Sequence, residues 1–324
     1  MNSILTGEKA LIEIKNLKIK STAIEDLSLA IDDGQTCVVF LGKGCGKTAL
    51  ASAISGALDA DDGEILIDGQ PMNTESEELR CEIGFFSADV KLFGFMSVAE
   101  TLELFGSARG ADAERISMQV EEALELVGLT ELEECSVSAL SAYQQAKLGI
   151  AITLMGKTSL LVFDDIFKGL DDAETEDVAE LLKMISSKKR TLLICSSPAA
   201  AAKCCTHAIF VENNKVVLSG SIEDIVNEIN KTREMKIRVN GDKDEIIKKI
   251  SEMPEIVDVS FSEEKFRIEY HNDPQIKDKL FAAMAEISSP ILSYEETELT
   301  VSDVYHSLIK DRSFEESEGG SESK

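Results

Sequence analysis

The sequence contains no run of about 20 apolar residues, the length that a membrane-spanning helix requires. Its N-terminus also lacks the basic and then apolar segments of a secretory signal peptide. The seven cysteines are an odd number and show no C-x₂-C spacing, so neither a zinc site nor a disulfide framework is indicated. We therefore expect a cytoplasmic protein that acts at a membrane only through a partner.

Positive charge is scarce as well. The chain has 33 Lys and Arg residues against 60 Asp and Glu residues, for a formal net charge of −27. A surface this acidic repels the phosphates of nucleic acids and anionic lipid headgroups. No nucleic-acid partner is therefore expected, and most of the charge is interpreted as solvated helix faces and an acidic tail.

With 324 residues, the chain is long enough for a sizeable α/β domain and a smaller second one. Apolar, β-rich runs such as "TCVVFL" and "SLLVFDD" alternate with helical patterns such as "VAELLKMISS". This alternation predicts a largely parallel sheet covered by helices on both faces. We predict an α/β domain over residues 1–230, with a helical insert at about 89–156.

The composition changes near "NKTREMK", and a second pattern follows. Its order of strand, helix, two strands, helix and strand is that of a ferredoxin-like α+β domain. We predict this domain over residues 231–311. Residues 312–324 are acidic and rich in Ser and Gly, and a disordered tail is expected there.

The strongest functional signal is the stretch "VVFLGKGCGKTALASAISG", residues 38–56. A buried strand, a glycine-rich turn and a Lys-Thr pair that opens a helix can hold phosphates, because backbone N–H groups and the helix N-terminus point at the ligand. Lys47 would reach the β- and γ-phosphates, and the Thr48 hydroxyl would bind Mg²⁺. The residues expected to contact the nucleotide are Gly42, Lys43, Gly44, Cys45, Gly46, Lys47, Thr48 and Ala49.

This loop departs from the pattern G-x-x-x-x-G-K-[ST] at its first position, where Leu41 replaces glycine. If that position requires a positive φ, the substitution costs about 1 kcal/mol, unless Gly42 takes over the turn. Cys45, close to a helix N-terminus, is either a reactive thiol or a buried side chain. A glycine-rich turn without a ligand is the alternative interpretation of the whole stretch, and a matching site downstream argues against it.

That downstream site is "SLLVFDDI", in which an apolar strand leads to Asp164. A carboxylate at the end of such a strand can hold Mg²⁺ through water. The interval between Thr48 and Asp164 leaves room for several sheet elements and the helical insert. The two motifs together predict a site for a nucleoside triphosphate, with Thr48 and Asp164 as the metal ligands.

At this point the chain resembles the ATP-binding cassette (ABC) proteins, and specifically the ATP-binding subunits of ABC-2-type bacterial exporters, over about residues 11–225. The resemblance rests on the phosphate loop and on "IEIKNL", "GEILIDG", "ALSAYQQAKLGIA", "LLVFDD" with the following "GLDD", and "KVVLSG". It implies a P-loop NTPase of the ABC cassette type, bound to ATP and Mg²⁺ in a homodimer or heterodimer of cassettes. Each ATP would lie between the phosphate loop of one chain and the signature motif of the other. Integral-membrane transporter subunits are the implied partners, at the inner face of the cell membrane.

Several motifs of that family are altered in this sequence. No aromatic residue precedes Phe40 to stack on adenine, and Ala88 stands at the position of the Q-loop glutamine. The signature LSGGQ reads Leu140–Ser141–Ala142–Tyr143–Gln144. Ser141 is retained as a possible phosphate contact, whereas Tyr143 is expected to obstruct the approach to the γ-phosphate of the partner's nucleotide.

Two further changes concern hydrolysis. Asp165 replaces the glutamate that orients the attacking water, and a displacement of about 1 Å can cost roughly 100-fold in rate. Ser197 stands at the position of the switch histidine. The three histidines of the chain, His207, His271 and His306, are interpreted as surface residues rather than substitutes.

These changes favour an ATP-binding transporter subunit with slow hydrolysis. The alternative is a regulatory subunit that senses ATP without turnover. A soluble ABC protein that acts on ribosomes or DNA is disfavoured by the acidity and by the single cassette.

Five of the thirteen phenylalanines fall within a short segment at the start of the helical insert: Phe85, Phe86, Phe93, Phe95 and Phe105. Core packing accounts for part of this cluster. In the family that the chain resembles, the same region receives a short helix of the membrane subunit, so the remaining side chains are expected to line a groove for that helix.

Overall fold

The computed structural model describes residues 10–309, except 43, 196, 231, 263, 272–274 and 298. Lys43 and the predicted acidic tail, 312–324, lie outside the described residues. By their contacts, the described residues form two compact units, one within Met1–Ile222 and Tyr305–Lys324 and the other Glu223–Val304. The boundaries predicted from the sequence therefore stay predictions. None of the helices in the described part of the chain is long and apolar enough to cross a membrane.

The first unit contains ten strands and seven helices among its described residues. They are β1 (Ala10–Lys18), β2 (Leu27–Asp32), β3 (Thr36–Leu41), α1 (Lys47–Ile54), β4 (Asp62–Ile67), β5 (Gln70–Pro71), α2 (Glu77–Cys81), β6 (Ile83–Ser87), α3 (Val98–Ala108), α4 (Ala113–Val127), α5 (Ala142–Leu154), β7 (Leu160–Asp164), α6 (Asp172–Ser186), β8 (Arg190–Ile194), α7 (Pro198–Cys204), β9 (His207–Glu212) and β10 (Lys215–Ser221).

A six-stranded sheet with the order β10-β9-β3-β8-β7-β6 forms the centre of this unit. Its strands are parallel except β10, which pairs antiparallel with β9. All side chains of β3 and β7 are buried, as expected of strands covered on both faces. The α/β fold class predicted from the sequence is confirmed. Because the strands are parallel, the ends of β3, β6, β7 and β8 meet at one edge, where the candidate site lies.

A second, antiparallel sheet has the order β2-β1-β4-β5. Its apolar face shares one core with α1 and with the central sheet, which includes Ile12, Leu27, Ile54 and Val162. The helical region carries α3 and α5, and each helix begins with a capping box, at Ser97 and Ser141. Such a box satisfies two backbone N–H groups that a helix start would otherwise leave without partners.

The remaining elements are α8 (Ile222–Ile229), β11 (Thr232–Val239), α9 (Lys243–Ser251), β12 (Ile256–Ser262), β13 (Lys265–His271), α10 (Ile276–Glu286), β14 (Ile291–Thr297) and α11 (Val301–Leu308). The four strands form an antiparallel sheet with the order β12-β13-β11-β14. Its core includes Ile237, Ile246, Phe266 and Leu280. This is the order of strands and helices that the sequence predicts for a ferredoxin-like unit.

Candidate nucleotide-binding site

The glycine-rich loop joins β3 to α1. Gly44 and Gly46 have φ values of 77° and 88°, a left-handed conformation that glycine adopts without steric cost. Leu41 is the last residue of β3, its side chain is buried, and it is not among the residues with a positive φ. The strain considered for Leu41 in the sequence is therefore not present, because the left-handed turns fall on the two later glycines.

A lysine and a carboxylate meet directly beside this loop. Lys47 opens α1, and its Nζ lies 3.1 Å from Oδ2 of Asp165, with both side chains mostly buried. Asp165 follows β7 and has a positive φ of 48°. Its N–H donates to the Ile194 carbonyl at 3.0 Å, and its own carbonyl accepts from the Lys168 N–H at 2.9 Å. The first bond ties the loop after β7 to β8, the second closes the turn within that loop, and together they hold Asp165 beside the phosphate loop.

Asp164, the last residue of β7, is fully buried. Its Oδ2 accepts a hydrogen bond of 2.7 Å from the Ser87 hydroxyl at the end of β6, whereas its Oδ1 has no hydrogen-bond partner among the described residues. Burial raises the pKa of Asp164 above its ordinary value, against smaller lowering effects from the hydroxyls of Thr48 and Ser87. A buried carboxylate oxygen without a partner is unfavourable unless a ligand satisfies it.

These residues fit Mg²⁺. A carboxylate and a hydroxyl are hard oxygen ligands, and Mg²⁺ at nucleotide sites is held by one or two carboxylates together with substrate phosphates. Within the described ranges, no group of three or more His, Cys, Asp and Glu side chains is placed to hold a metal. Thr48 and Asp164 would therefore share the ion with the phosphates and with water rather than enclose it.

A cavity of about 730 Å³ opens over this loop, within the usual size range of small-molecule sites. Seven of the predicted site residues line it: Gly44, Gly46, Lys47, Thr48, Ala49, Asp165 and Ser197. Gly42, Cys45, Asp164 and Ser141 are not among the described residues that line it. The structure thus brings most of the predicted phosphate-contacting residues to one cavity.

Seven residues that the sequence analysis did not assign to the site also line the cavity: Thr22, Asp89, Phe167, Lys168, Cys195, Tyr305 and His306. The ring of Tyr305 packs edge-on against Phe40 at 5.6 Å, and its hydroxyl donates to the Leu41 carbonyl at 3.4 Å. His306 is exposed, as the sequence analysis expected, and nevertheless lines the cavity. No local pattern marks these two residues, because more than 250 positions separate them from the phosphate loop.

The region after β8 carries Ser197, the residue predicted to stand at the position of the switch histidine. Ser197 precedes α7 and lines the cavity, and Ser196 lies outside the described residues. Cys195 lines the cavity beside it, and burial raises the pKa of this thiol to about 12. A thiol with so high a pKa stays protonated at neutral pH, so it adds no negative charge to the cavity.

The signature region is held by hydrogen bonds within the chain. Ser141 caps α5, since its Oγ accepts from the Gln144 N–H at 3.2 Å. The hydroxyl of Tyr143 donates to Asp177 on α6 and accepts from Lys147 at 2.7 Å. The Tyr143 hydroxyl, with Lys147, lowers the pKa of Asp177. The tyrosine ring is therefore tied to α6, and its predicted obstruction of a partner's γ-phosphate stays a prediction.

The phenylalanine cluster divides between core and surface. Phe86 is buried, whereas Phe93 and Phe95 are 54% and 85% exposed, with their rings 5.9 Å apart. Phe85 and Phe105 line a separate cavity of about 400 Å³. The cluster therefore contributes to the core, to a groove and to an exposed aromatic patch.

Comparison with known proteins agrees with a nucleotide-binding site at the phosphate loop. Residues 24–168 match the ABC transporter family. The linearmycin resistance ATP-binding protein LnrL of Bacillus subtilis (strain 168) is 22% identical over 257 residues, which cover 79% of this chain and 83% of LnrL. The Fe(3+) ions import ATP-binding protein FbpC 1 of Pectobacterium atrosepticum is 32% identical over 170 residues. That match covers 52% of this chain and 48% of FbpC 1, so the chain spans about half the length of this relative.

A solved structure supports the same fold. The dimeric, post-hydrolysis ATP-binding cassette MJ0796, bound to ADP and Pi, matches with a TM-score of 0.58 at 21% identity. The match covers 65% of this chain and 98% of that cassette. The chain therefore contains an ABC transporter ATP-binding domain, matched over residues 24–168, and its first unit has the P-loop NTPase fold of ABC cassettes.

Proposed function

We propose that this chain is the ATP-binding subunit of an ABC-type membrane transporter, and that it drives or gates membrane subunits by binding Mg–ATP at a dimer interface, with slow hydrolysis. The observation that carries the proposal is Oδ1 of Asp164, which is buried near Thr48 at the phosphate loop and has no hydrogen-bond partner in the described part of the chain. A bound metal ion would satisfy that oxygen and neutralise the carboxylate.

The binding role follows from the elements that meet at the end of the central sheet. The N-terminus of α1 carries a partial positive charge and backbone N–H groups without helical partners. Lys47 adds a full positive charge at the same place, while Gly44 and Gly46 allow the backbone to approach the phosphates closely. Together these groups bind the phosphates, and Mg²⁺ would supply the charge neutralisation that Thr48 and Asp164 anchor.

Slow hydrolysis is supported by two features of the same cavity. The Asp165 carboxylate forms an ion pair with Lys47 through Oδ2, and this nearby positive charge makes the carboxylate a weaker base for a water molecule. Ser197, in place of a histidine, offers a hydroxyl that cannot carry a positive charge towards the γ-phosphate. We infer that ATP is held for long periods relative to its turnover.

The proposed dimer is supported by the signature region, and the proposed membrane partner is supported by the exposed aromatic patch. Ser141 keeps a proton on its hydroxyl that can be donated to the phosphate of a second cassette, because its oxygen already accepts from Gln144. The exposed rings of Phe93 and Phe95 suit an apolar helix of a membrane subunit. The exporter subtype rests on the sequence motifs, and the position at the inner membrane face follows from the proposed partner.

Phosphate release by the purified chain tests the proposed slow turnover. We expect a rate constant below about 1 s⁻¹, the low end of typical enzymes. The double variant Asp165→Glu with Ser197→His should raise that rate at least about tenfold, because it restores the longer carboxylate and a charged switch residue. The matched control, Asp165→Asn with Ser197→His, should not.

A wild-type rate above about 1 s⁻¹ would contradict slow hydrolysis. Addition of co-purified membrane subunits separates the proposal from its alternative. Stimulated phosphate release supports a driving subunit, whereas ATP binding without any release supports the regulatory subunit.

A further inference from the structure

Two lysine–aspartate pairs face the cavity over the phosphate loop. Lys47 pairs with Asp165, as described above, and Lys168 pairs with Asp89 at 2.5 Å. All four side chains line the same cavity. Only Lys47 belongs to the phosphate-loop pattern, so the second pair places a further cation at the site that no motif assigns.

The backbone fixes where Lys168 lies. Its N–H donates to the Asp165 carbonyl at 2.9 Å, which closes the turn that follows β7. The pKa of Lys168 is raised by its bond to Asp89, with further contributions from the charges of Asp165 and Asp164. The ammonium group therefore stays charged, and it lies close enough to both site carboxylates to feel their charge.

Asp89 is joined through Ser87 to Asp164, the predicted metal ligand. Its N–H donates to the Ser87 hydroxyl at 3.3 Å, and that hydroxyl donates to Asp164 at 2.7 Å. The Ala88 N–H between them donates to the Asp164 carbonyl at 3.1 Å. The segment after β6 is thus bound to the end of β7, and it presents a carboxylate to Lys168 across the cavity.

Lys47 and Lys168 differ in freedom of movement. Lys47 is the first residue of α1, and its side chain is 11% exposed. The side chains of Lys168 and Asp89 are 56% and 53% exposed. An ion pair this exposed contributes little stability and exchanges partners readily. A terminal phosphate, with about two negative charges and three acceptor oxygens, is a stronger partner for an ammonium group than one carboxylate.

We propose that Lys168 binds the terminal phosphate of the nucleoside triphosphate, and that Asp89 competes with this phosphate for Lys168. This inference rests on the proposed function, since it assigns a residue to the phosphate site. It makes Lys168 the group that distinguishes a triphosphate from a diphosphate. It also makes the segment after β6 responsive to the nucleotide, because Asp89 loses its partner when Lys168 turns to the phosphate.

Binding of ADP and of a non-cleavable ATP analogue, both with Mg²⁺, tests the proposal by calorimetric titration. Lys168→Met should weaken binding of the ATP analogue about tenfold, the effect of losing one charge-assisted hydrogen bond, and change ADP binding less than about twofold. Asp89→Asn should strengthen binding of the ATP analogue and leave ADP unchanged. Lys168→Arg, which keeps the charge, should retain most of the preference for the analogue.

The matched control is Lys203→Met, which removes another exposed, carboxylate-paired lysine, the partner of Glu176 on α6. It should change neither affinity. Equal losses for ADP and the ATP analogue in Lys168→Met, or no loss for either, would overturn the assignment of Lys168. If the wild-type chain binds neither nucleotide, the proposed function itself fails, so the two failures are distinguishable.

Discussion

The buried carboxylate of Asp164 should make the wild-type protein less stable than a variant with a neutral side chain at this position. The pKa of Asp164 is raised by burial, which means that folding favours the neutral acid over the carboxylate. The protonated Asp164 contributes its full share to the free energy of unfolding below the pKa that this group has in the unfolded chain. That contribution is lost as the pH rises through the higher pKa of the folded chain. At a pH above the raised pKa the ionised group is therefore a cost, and Asp164→Asn should reduce that cost.

The size of this effect follows from the surroundings of the two oxygens. Oδ2 keeps its bond from Ser87, whereas Oδ1 is buried without a partner among the described residues. The amide of Asn also leaves a group without a partner there, so the gain is the extra cost of burying a charge, on the order of 1–3 kcal/mol. For a unit of about 200 residues, 1 kcal/mol corresponds to about 2–4 °C in Tm. We expect Asp164→Asn to raise Tm by about 2–12 °C at pH 7, in buffer with a metal chelator.

Calorimetric melting across a pH series is the assay, with Asp258→Asn, an exposed position on β12, as the control. The gain of Asp164→Asn should shrink as the pH falls through the raised pKa of Asp164. With Mg–ATP at 100 times its Kd, the wild type should gain about 2.7 kcal/mol. The variant should lose the Mg²⁺-dependent part of that gain. A variant that melts lower than the wild type at pH 7 in chelator would refute the argument.

Three further predictions concern packing and access. Gly149→Ala should destabilise the protein by about 1–3 kcal/mol in urea unfolding, because the added Cβ would lie less than 3.0 Å from the Phe86 ring. Adding Phe86→Leu should recover part of that loss. An unchanged unfolding midpoint in Gly149→Ala would contradict this packing. Tyr305→Ala should lower the free energy of unfolding by about 3 kcal/mol, because it removes a buried ring that packs against Phe40. Tyr305→Phe keeps the ring and should lower it by less than about 1 kcal/mol. Equal losses in the two variants would contradict the ring contact. Mg–ATP should slow alkylation of the partly exposed Cys45 at least about fivefold, as measured by peptide mass spectrometry, while the buried thiols stay unmodified. Equal alkylation rates with and without nucleotide would contradict binding at the loop.

The elements that carry the site were predictable because they are local patterns. The apolar run of β3, the glycines and Lys47 lie in one short stretch, and a second apolar strand ends at Asp164. The parallel sheet then brings both strand ends together, so the α/β fold class and the approximate site follow from sequence order. The strain that the sequence analysis considered for Leu41 is absent, because the left-handed conformations fall on Gly44 and Gly46.

The rest of the cavity depends on tertiary contacts that leave no local signal. Asp89 and Lys168 meet across 79 positions, and neither belongs to a phosphate-binding pattern. Tyr305 approaches the Leu41 carbonyl from 264 positions away, on a helix that sequence order assigns to the smaller domain. Charge pairs and docked helices of this kind are fixed by packing, so only the structure reveals them.

The most direct test of the account is equilibrium titration of the purified chain with a fluorescent ATP analogue, with and without Mg²⁺. We predict saturable binding to one site per chain, tighter with Mg²⁺, reduced at least about tenfold by Lys47→Ala and unaffected by Lys188→Ala, an exposed lysine beyond α6. Binding that survives Lys47→Ala unchanged, or no binding at all, would contradict a phosphate site at the end of the central sheet.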